Sequence, residues 1–373
     1  ATTGTNGFVS PDEAIVAEAV LGQTSDGLLD SSVTIGADGN VSGRSTLVGT
    51  ATATNVGDGT GDDAYSTINL SGDGINNSGE NGTGTITIGA TGNVSGQSLL
   101  NADASSTTVS GTAEAKSLLD STGVNLDVAD ADITIGESGN ISGLGVIGEL
   151  SGGVFSDQVD VLATAKLEDA TALGKLTVAG ISGDDDGGTN TNPGDDQTLL
   201  TAGPNGGNVT GQALGGANLV ATTVGDPNAT SATTDDATAT LETSTLSGLA
   251  DVDILGGMVG TNTIKGTSFG DFDVTADSIK GNATGSSNVD AYGIIDRNDD
   301  GNITLSGNIE AIAQLTNTVT ARTIEGNATA TATGDAIGLG GYSINIIGSG
   351  AITASADSDS SSLARSVAGR ASA

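Results

Sequence analysis

One short motif occurs three times in the first half of the chain and limits what the chain can fold into. Residues 33–43, 86–96 and 133–143 read VTIGADGNVSG, ITIGATGNVSG and ITIGESGNISG. The β-branched triplet favours a strand, and Gly-x-x-Gly-Asn supplies the positive-φ positions that a sharp reversal needs. The Asn-(Val/Ile)-Ser-Gly end is predicted to start a second strand and to end it early. Each copy therefore predicts a strand, a tight turn and a strand.

Shorter copies continue this pattern towards the C-terminus, at 207–211, 281–284, 301–304 and 326–329. A unit of this kind cannot bury its apolar face alone, so the copies are expected to stack on one another. Their irregular spacing fits rungs of roughly 20–25 residues with occasional longer loops. The predicted fold is all-β, an elongated β-solenoid (β-helix) with irregular rungs. The alternative is a multi-sheet β-sandwich.

A helix start precedes the first motif. Ser10 is a suitable N-cap, Pro11 suits the first helical position, and Glu13 completes a capping box. Apolar residues then recur at helical spacing as far as Gly22. We therefore predict a capping helix over residues 10–27 that covers the open end of the solenoid.

The remaining boundaries follow the composition. Residues 1–9 are predicted to form an extended N-terminal arm. Residues 28–359 are predicted to form the solenoid body, with a protruding acidic loop at 183–197 that reads GDDDGGTNTNPGDDQ. Residues 360–373 are predicted to form a cationic C-terminal tail, for which a short helix and a strand lent to a neighbouring subunit are the two interpretations.

The charge balance limits the partners of the chain. It has 46 acidic residues against 10 Lys and Arg, a formal net charge of −36. Such a chain repels nucleic acid and anionic membrane surfaces, and it is expected to collect divalent cations. No apolar run approaches the roughly 20 residues of a membrane-spanning helix, so no membrane insertion is expected.

The location of the protein is predicted from the start of the chain and from its composition. The sequence begins at Ala1 without a basic and apolar leader, which is typical of a mature protein whose signal peptide has been removed. The richness in Gly, Thr, Asp, Asn and Ser also favours secretion. We therefore expect an extracellular or cell-surface protein.

One segment resembles a calcium-binding loop. Asp296, Asn298, Asp300 and Asn302 belong to a run that matches the first nine positions of an EF-hand-type loop, with oxygen ligands at positions one, three and five. The twelfth position is Gly307, where that loop needs a bidentate carboxylate. The motif predicts a Ca²⁺-binding turn within a β protein, and the alternative is an acidic Asn-Gly turn without an ion.

Catalytic residues are not predicted. The chain has no His and no Cys, so the common general base and the thiol nucleophile are missing. A carboxylate pair could still perform glycoside chemistry, but sugar sites usually offer aromatic platforms and only seven aromatic residues are present. We predict a protein that is not an enzyme, with no required cofactor and Ca²⁺ as the one candidate ion.

Strands of alternating Ala and Thr are predicted at 50–54, 237–241 and 328–333, with the small residues facing a narrow interior. These strands, the turns and the acidity together resemble secreted prokaryotic β-solenoid surface and matrix proteins, such as adhesin stalks and extracellular filament subunits. This resemblance implies a structural protein that assembles head to tail with copies of itself into a filament, matrix or surface layer. Two other functions are considered. One is a monomeric adhesin or carbohydrate- or ice-binding module, for which ice binding requires Thr-x-Thr in register on one flat face. The other is a polysaccharide-active enzyme.

Overall fold

The computed structural model shows an all-β chain in the residues that it describes, which are 2–4, 16–29, 32–57, 62–77, 85–126, 132–151, 154–183, 199–203, 205–225, 235–255, 262–297, 303–342, 344–347 and 350–373. The first nine strands are β1 (Thr2–Gly4), β2 (Val16–Leu29), β3 (Val33–Ile35), β4 (Gly39–Asn55), β5 (Asp63–Asn76), β6 (Ile86–Ile88), β7 (Gly92–Thr108), β8 (Ala113–Leu126) and β9 (Ile133–Ile135). The next nine are β10 (Ile141–Ile147), β11 (Glu149–Ser151), β12 (Val154–Asp157), β13 (Val159–Ala165), β14 (Ala170–Gly183), β15 (Leu199–Thr201), β16 (Val209–Thr223), β17 (Ala237–Ala250) and β18 (Asp253–Leu255). The last nine are β19 (Thr263–Ser278), β20 (Ala283–Asp296), β21 (Ile303–Ser306), β22 (Asn308–Thr323), β23 (Ala328–Thr333), β24 (Ala336–Gly341), β25 (Ile344–Ile347), β26 (Ile352–Ser366) and β27 (Ala371–Ser372).

Three sheets run along the stacking axis. Sheet 1 has the order β2-β5-β8-β14-β17-β20-β23-β27, with β24 also beside β20. Sheet 2 contains the short strands β3, β6, β9, β15, β18, β21 and β25. Sheet 3 has the order β1-β4-β7-β10-β16-β19-β22-β26, and β13 continues β10 between β7 and β16. Neighbouring strands are parallel in all three sheets.

One passage through sheets 1, 2 and 3 makes one coil, and the described strands make seven coils, from β2-β3-β4 to β23-β24-β25-β26. The stacking of parallel strands confirms the all-β solenoid, since a sandwich of hairpin-linked strands would pair them antiparallel. Equivalent residues lie 41 to 68 positions apart, as the pairs Ile303–Ile344 and Ile141–Val209 show. The predicted rung of 20–25 residues is therefore wrong, because each coil needs three strands.

A ladder of asparagines joins the coils at the corner between sheets 2 and 3. The Asn93 backbone N and Nδ2 both donate to Asn40 Oδ1, at 2.9 and 3.0 Å. Asn140 makes the same two bonds to Asn93 Oδ1, each 3.0 Å long, and Asn208 N donates to Asn140 Oδ1 at 3.1 Å. The Gly-Asn of the sequence motif therefore links neighbouring coils. The predicted positive-φ reversal is wrong, because Gly39 and Gly92 begin β4 and β7 without a positive φ.

A second ladder lies at the start of sheet 1. Asp236 N donates to Asp169 Oδ1 at 2.8 Å, Asn282 N to Asp236 Oδ1 at 2.7 Å, and Asn327 N to Asn282 Oδ1 at 3.0 Å. The short motif copies at 281–284 and 326–329 belong to this second corner. The spacing between successive motif copies in the sequence is shorter than one coil, because the copies come from two different corners of the solenoid.

The interior contains two apolar clusters. One lies between sheets 1 and 3 and includes Ile68, Leu100 and Phe272, and the other lies beside sheet 2 and includes Ile88 and Ile135. All five side chains are at most 1% exposed. The narrow, Ala-, Val- and Ile-rich interior is the one expected of closely apposed sheets.

Two columns of glycine bring the backbones of sheets 1 and 3 into contact. A Cβ on each glycine of the sheet 3 column would overlap the carbonyl oxygen of a glycine in the sheet 1 column. The pairs are Gly43 with Gly74, Gly96 with Gly123, Gly143 with Gly180, Gly211 with Gly248, and Gly266 with Gly293. A glycine in a strand often marks such a close approach of backbones. The expectation that the Ser-Gly end of the motif ends its strand is wrong, because β4 and β7 continue through it for 12 further residues, to Asn55 and Thr108.

The predicted capping helix over 10–27 is corrected by the structure. Residues 10–15 lie outside the described residues, and Val16–Leu29 is strand β2, paired with β5. Ala17 and Ala19 point inward at 2% and 1% exposure, whereas Val16 and Val20 are 52% and 58% exposed. This alternation has the period of a strand, and the bonds to β5 decide between it and the helix.

The other predicted segments are placed as follows. Of the arm at 1–9, Thr2–Gly4 is described and pairs with Thr52–Thr54 at the edge of sheet 3. Of the acidic loop at 183–197, only Gly183 is described, as the end of β14. Residues 360–366 continue β26 without a break at 360, so this part of the predicted tail is a strand of the last coil and not a helix.

Candidate functional site

One of the four predicted calcium residues, Asp296, lies at the corner between sheets 1 and 2. Asp296 is described as the last residue of β20 and is 1% exposed. Asn298, Asp300 and Asn302 lie outside the described residues. Within the described part of the chain no group of three or more acidic side chains has the arrangement of a metal site. The calcium site therefore stays a prediction.

An ion pair at the same corner joins coils 5 and 6. Asp251 is the one residue other than glycine with a positive φ, 53°, among the described residues. Its Oδ1 accepts from Arg297 N at 2.7 Å, and its Oδ2 accepts from Arg297 Nε and Nη2 at 2.6 Å each. The Asp251 side chain is 4% exposed and that of Arg297 is 41% exposed. A residue in this backbone region costs free energy unless its surroundings hold it, and these three contacts do so.

Asp253 is a buried carboxylate close to this ion pair. It is 9% exposed and accepts a hydrogen bond from Thr304 N. Burial raises the pKa of Asp253, the Thr304 bond partly lowers it, and the charge of Asp296 raises it further. Since the folded-state pKa is raised, the charged form is less favourable in the folded protein than in the unfolded one.

We predict that Asp253→Asn raises the thermal midpoint at pH 7 and that the gain shrinks as the pH falls. A carboxyl group whose pKa is raised in the folded protein destabilises the fold when it is charged. The free energy of unfolding therefore falls as the pH rises through the folded-state pKa. The amide keeps an oxygen for Thr304 N and removes the charge. Thermal unfolding followed by circular dichroism at pH 7 and pH 4 checks this, and a variant less stable than the parent at pH 7 would contradict it.

Hydroxyl groups form two outward columns on sheet 1. In coils 5 to 7 the residues of each column are in register, Thr238, Thr284 and Thr329 in one and Thr240, Ser286 and Thr331 in the next. In the first three coils the first column holds Glu18, Tyr65 and Glu114 instead. A Thr-x-(Thr/Ser) pattern, which departs from the Thr-x-Thr of ice binding at Ser286, is thus in register over coils 5 to 7 of this face.

A hairpin interrupts sheet 3 in coil 3. Its strands β11 and β12 are antiparallel, and its residues reach over coil 4 to coil 5. Phe155 lies against Phe269 with ring centroids 5.8 Å apart, and Gln158 Nε2 donates to Asp271 O at 2.9 Å. A Cβ on Gly216 would come within 2.9 Å of the Phe155 ring, so this glycine leaves the space for the hairpin.

The edge strand β26 presents free backbone groups. Val367 N donates to Thr323 O, and Ala351 O accepts from Ile309 N, so odd-numbered residues of β26 bond to β22. The even-numbered residues of a strand point their N–H and C=O the other way. Among the described residues no strand lies on that side of β26. Its inward column there reads Ala354, Ala356, Ser358, Ser360, Ser362 and Ala364.

Comparisons of the chain with models of protein families, with curated proteins and with solved structures find no match. In the part of the chain that the structure describes, no helix has the length and apolarity needed to cross a membrane.

Sequence reasoning missed the Asp251–Arg297 pair and the buried Asp253. Arg297 appeared in the sequence as an interruption within a calcium motif. The available signal was a basic residue within an acidic run, but its partner lies 46 positions away. Only the stacking of coils 5 and 6 brings the two together.

Proposed function

We propose that this chain is a secreted structural protein that assembles with copies of itself into an extracellular filament, matrix or surface layer. The observation that carries the proposal is the edge of β26, a strand of 15 residues whose outer side pairs with no strand in the part of the chain that the structure describes. Such an edge pairs readily with a strand of another chain.

The first coil supplies a matching surface at the other end of the stack. In sheet 3 the inward residues Val41 and Ala51 of coil 1 occupy the same columns as Ile352 and Ser362 of coil 7, through the continuous register of the sheet. A coil 1 placed on a coil 7 would therefore continue the columns. A contact between two different surfaces that repeats by translation along an axis produces an open filament.

The short strand β1 supports the same mode of contact. Thr2–Gly4 adds in parallel to β4 at the outer edge of coil 1 and covers only Thr52–Thr54. This edge therefore accepts a parallel strand in register, and no other strand of the described residues pairs with this edge of β4.

The test uses a substitution at a position that bonds to no neighbour in β26. Ser360 is even-numbered, so Ser360→Pro removes an edge N–H without removing a bond to β22, and proline is tolerated in edge strands. We expect elongated assemblies of the parent in negative-stain electron microscopy and sedimentation velocity, and markedly shorter ones for Ser360→Pro.

Ser360→Ala is the matched control, because it changes the same side chain and keeps the N–H. It is expected to assemble like the parent. A parent that stays monomeric at all concentrations, or a proline variant that assembles equally well, would contradict the proposal.

A further inference from the structure

We propose that the outer face of sheet 1 carries a binding site for one neutral sugar unit or small polyol, in a hollow above Ala179. The hollow has a volume of about 170 Å³ and spans coils 3 to 5, with Arg297 of coil 6 at one side. It has room for about five or six water molecules at roughly 30 Å³ each, which corresponds to a single small hydroxylated molecule.

The hollow exists because one column of sheet 1 contains a small residue. Thr122, Ala179, Ser247 and Tyr292 occupy equivalent positions in coils 3 to 6. Ala179 lacks the polar atoms and the volume of its neighbours in the column. The missing side chain leaves a space between Thr122 and Ser247.

Ser247 is the second observation that indicates a ligand. It is 2% exposed and lines the hollow, and its Oγ makes no hydrogen bond to any described residue. A buried hydroxyl without a partner costs free energy, so such groups in native proteins are usually bonded to protein, water or ligand. Since less than 1 Å² of this oxygen is exposed, the Ser247 side chain would rotate into the hollow, where a bound hydroxyl group would supply the bond that it lacks.

The charges around the hollow favour a neutral ligand. Arg297 forms one wall and reaches Ser182 Oγ of coil 4 at 3.4 Å, but its charge is paired with Asp251. Asp120 contributes a carboxylate to the lining, and the chain as a whole carries −36. An anion would therefore be repelled. The guanidinium donates, the carboxylate accepts and the hydroxyls do both, which matches the alternating donors and acceptors of a polyol.

The test measures binding of glucose, galactose, mannose and glycerol to the whole chain by saturation-transfer NMR and calorimetry. We expect at least one of the four to bind saturably with a dissociation constant in the millimolar range. Ala179→Leu fills the hollow and should weaken that binding at least tenfold. Ser247→Ala should weaken it by a smaller factor, because it removes one bond and leaves the space.

Thr240→Leu is the matched control, because it adds a leucine to the same face outside the hollow, in a column where Leu173 already stands. It should bind like the parent. Circular dichroism melting of each variant shows whether it is folded. A leucine is expected to fit at position 179, because Tyr292 occupies the same column in coil 6. If none of the four compounds binds saturably, or if Ala179→Leu and Thr240→Leu bind equally well, the hollow holds water only and the proposal is overturned.

Discussion

Replacing Gly143 with alanine is expected to destabilise the central coils by about 3 kcal/mol or more, the upper end of the cost of overpacking. Gly143 lies in β10, where sheet 3 touches sheet 1. Its Cβ would overlap the carbonyl oxygen of Gly180 and come within 2.6 Å of Ile181 Cγ1. A backbone carbonyl cannot change rotamer, so only a separation of the two sheets relieves the overlap.

The separation of the two sheets would extend to the neighbouring coils, because Gly96 and Gly211 hold sheet 3 equally close to sheet 1 there. In a repeat protein each coil is stabilised mainly by its neighbours. We therefore expect a lower melting temperature by circular dichroism and faster amide hydrogen exchange in coils 2 to 4 than in coil 6.

Gly22→Ala is the control. Gly22 is also within a strand, and a Cβ there would meet nothing within 4 Å. Loss of a glycine at such a position reduces the freedom of the unfolded chain and is neutral or slightly stabilising. Equal melting temperatures of the two alanine variants would contradict the close contact between the backbones of the two glycine columns.

The second large effect is expected for Phe272→Ala, at about 3–5 kcal/mol. Phe272 is the largest fully buried side chain among the described residues. Its ring fills the space beside Gly270 of the same strand, where a Cβ on Gly270 would lie 2.7 Å from Phe272 Cε2. In the neighbouring coil Leu315 occupies the column of Gly270. Removal of the ring therefore leaves a cavity that no other side chain of β19 can fill.

Phe269→Ala tests the same strand on its outward side. Phe269 is half-buried and its ring meets only Phe155 among the aromatic residues described, a pair that is worth about 0.5–1.5 kcal/mol beyond its buried area. Denaturant unfolding of both variants gives the comparison. A Phe269 variant as unstable as the Phe272 variant would show that the inward and outward assignments of β19 are wrong.

Much of the local structure follows from the sequence. The (Val/Ile)-Thr-Ile triplets form β3, β6 and β9 of sheet 2, because the preference of β-branched residues for strands depends on a few neighbouring residues. The Gly-x-x-Gly segments after them form corners, but none of their glycines has the predicted positive φ, and Gly39-Asn40 and Gly92-Asn93 begin β4 and β7. The Ala/Thr runs at 50–54 and 237–241 alternate inward and outward, with Ala51, Ala53, Ala237 and Ala239 all buried. A period of two places the side chains of any strand in this way.

The candidate sites did not follow from the sequence in the same way. The hollow above Ala179 consists of residues from coils 3 to 6, and its Arg297 is held by Asp251 of another coil. In the sequence, Arg297 stands only within the local run 296–304. Contacts between residues more than 40 positions apart depend on the length of each coil, which local patterns do not fix.

The sequence by itself determined that this chain forms strands, that the strands stack, and that the interior is narrow. The tertiary structure decided that Val16–Leu29 is a strand, because β5 offers it a ladder of backbone bonds. It also decided that three strands make a coil and that Gly43 lies inside a strand. The physical reason is that local preferences amount to fractions of a kcal/mol per residue, whereas register and backbone contact between coils act on every residue of a strand at once.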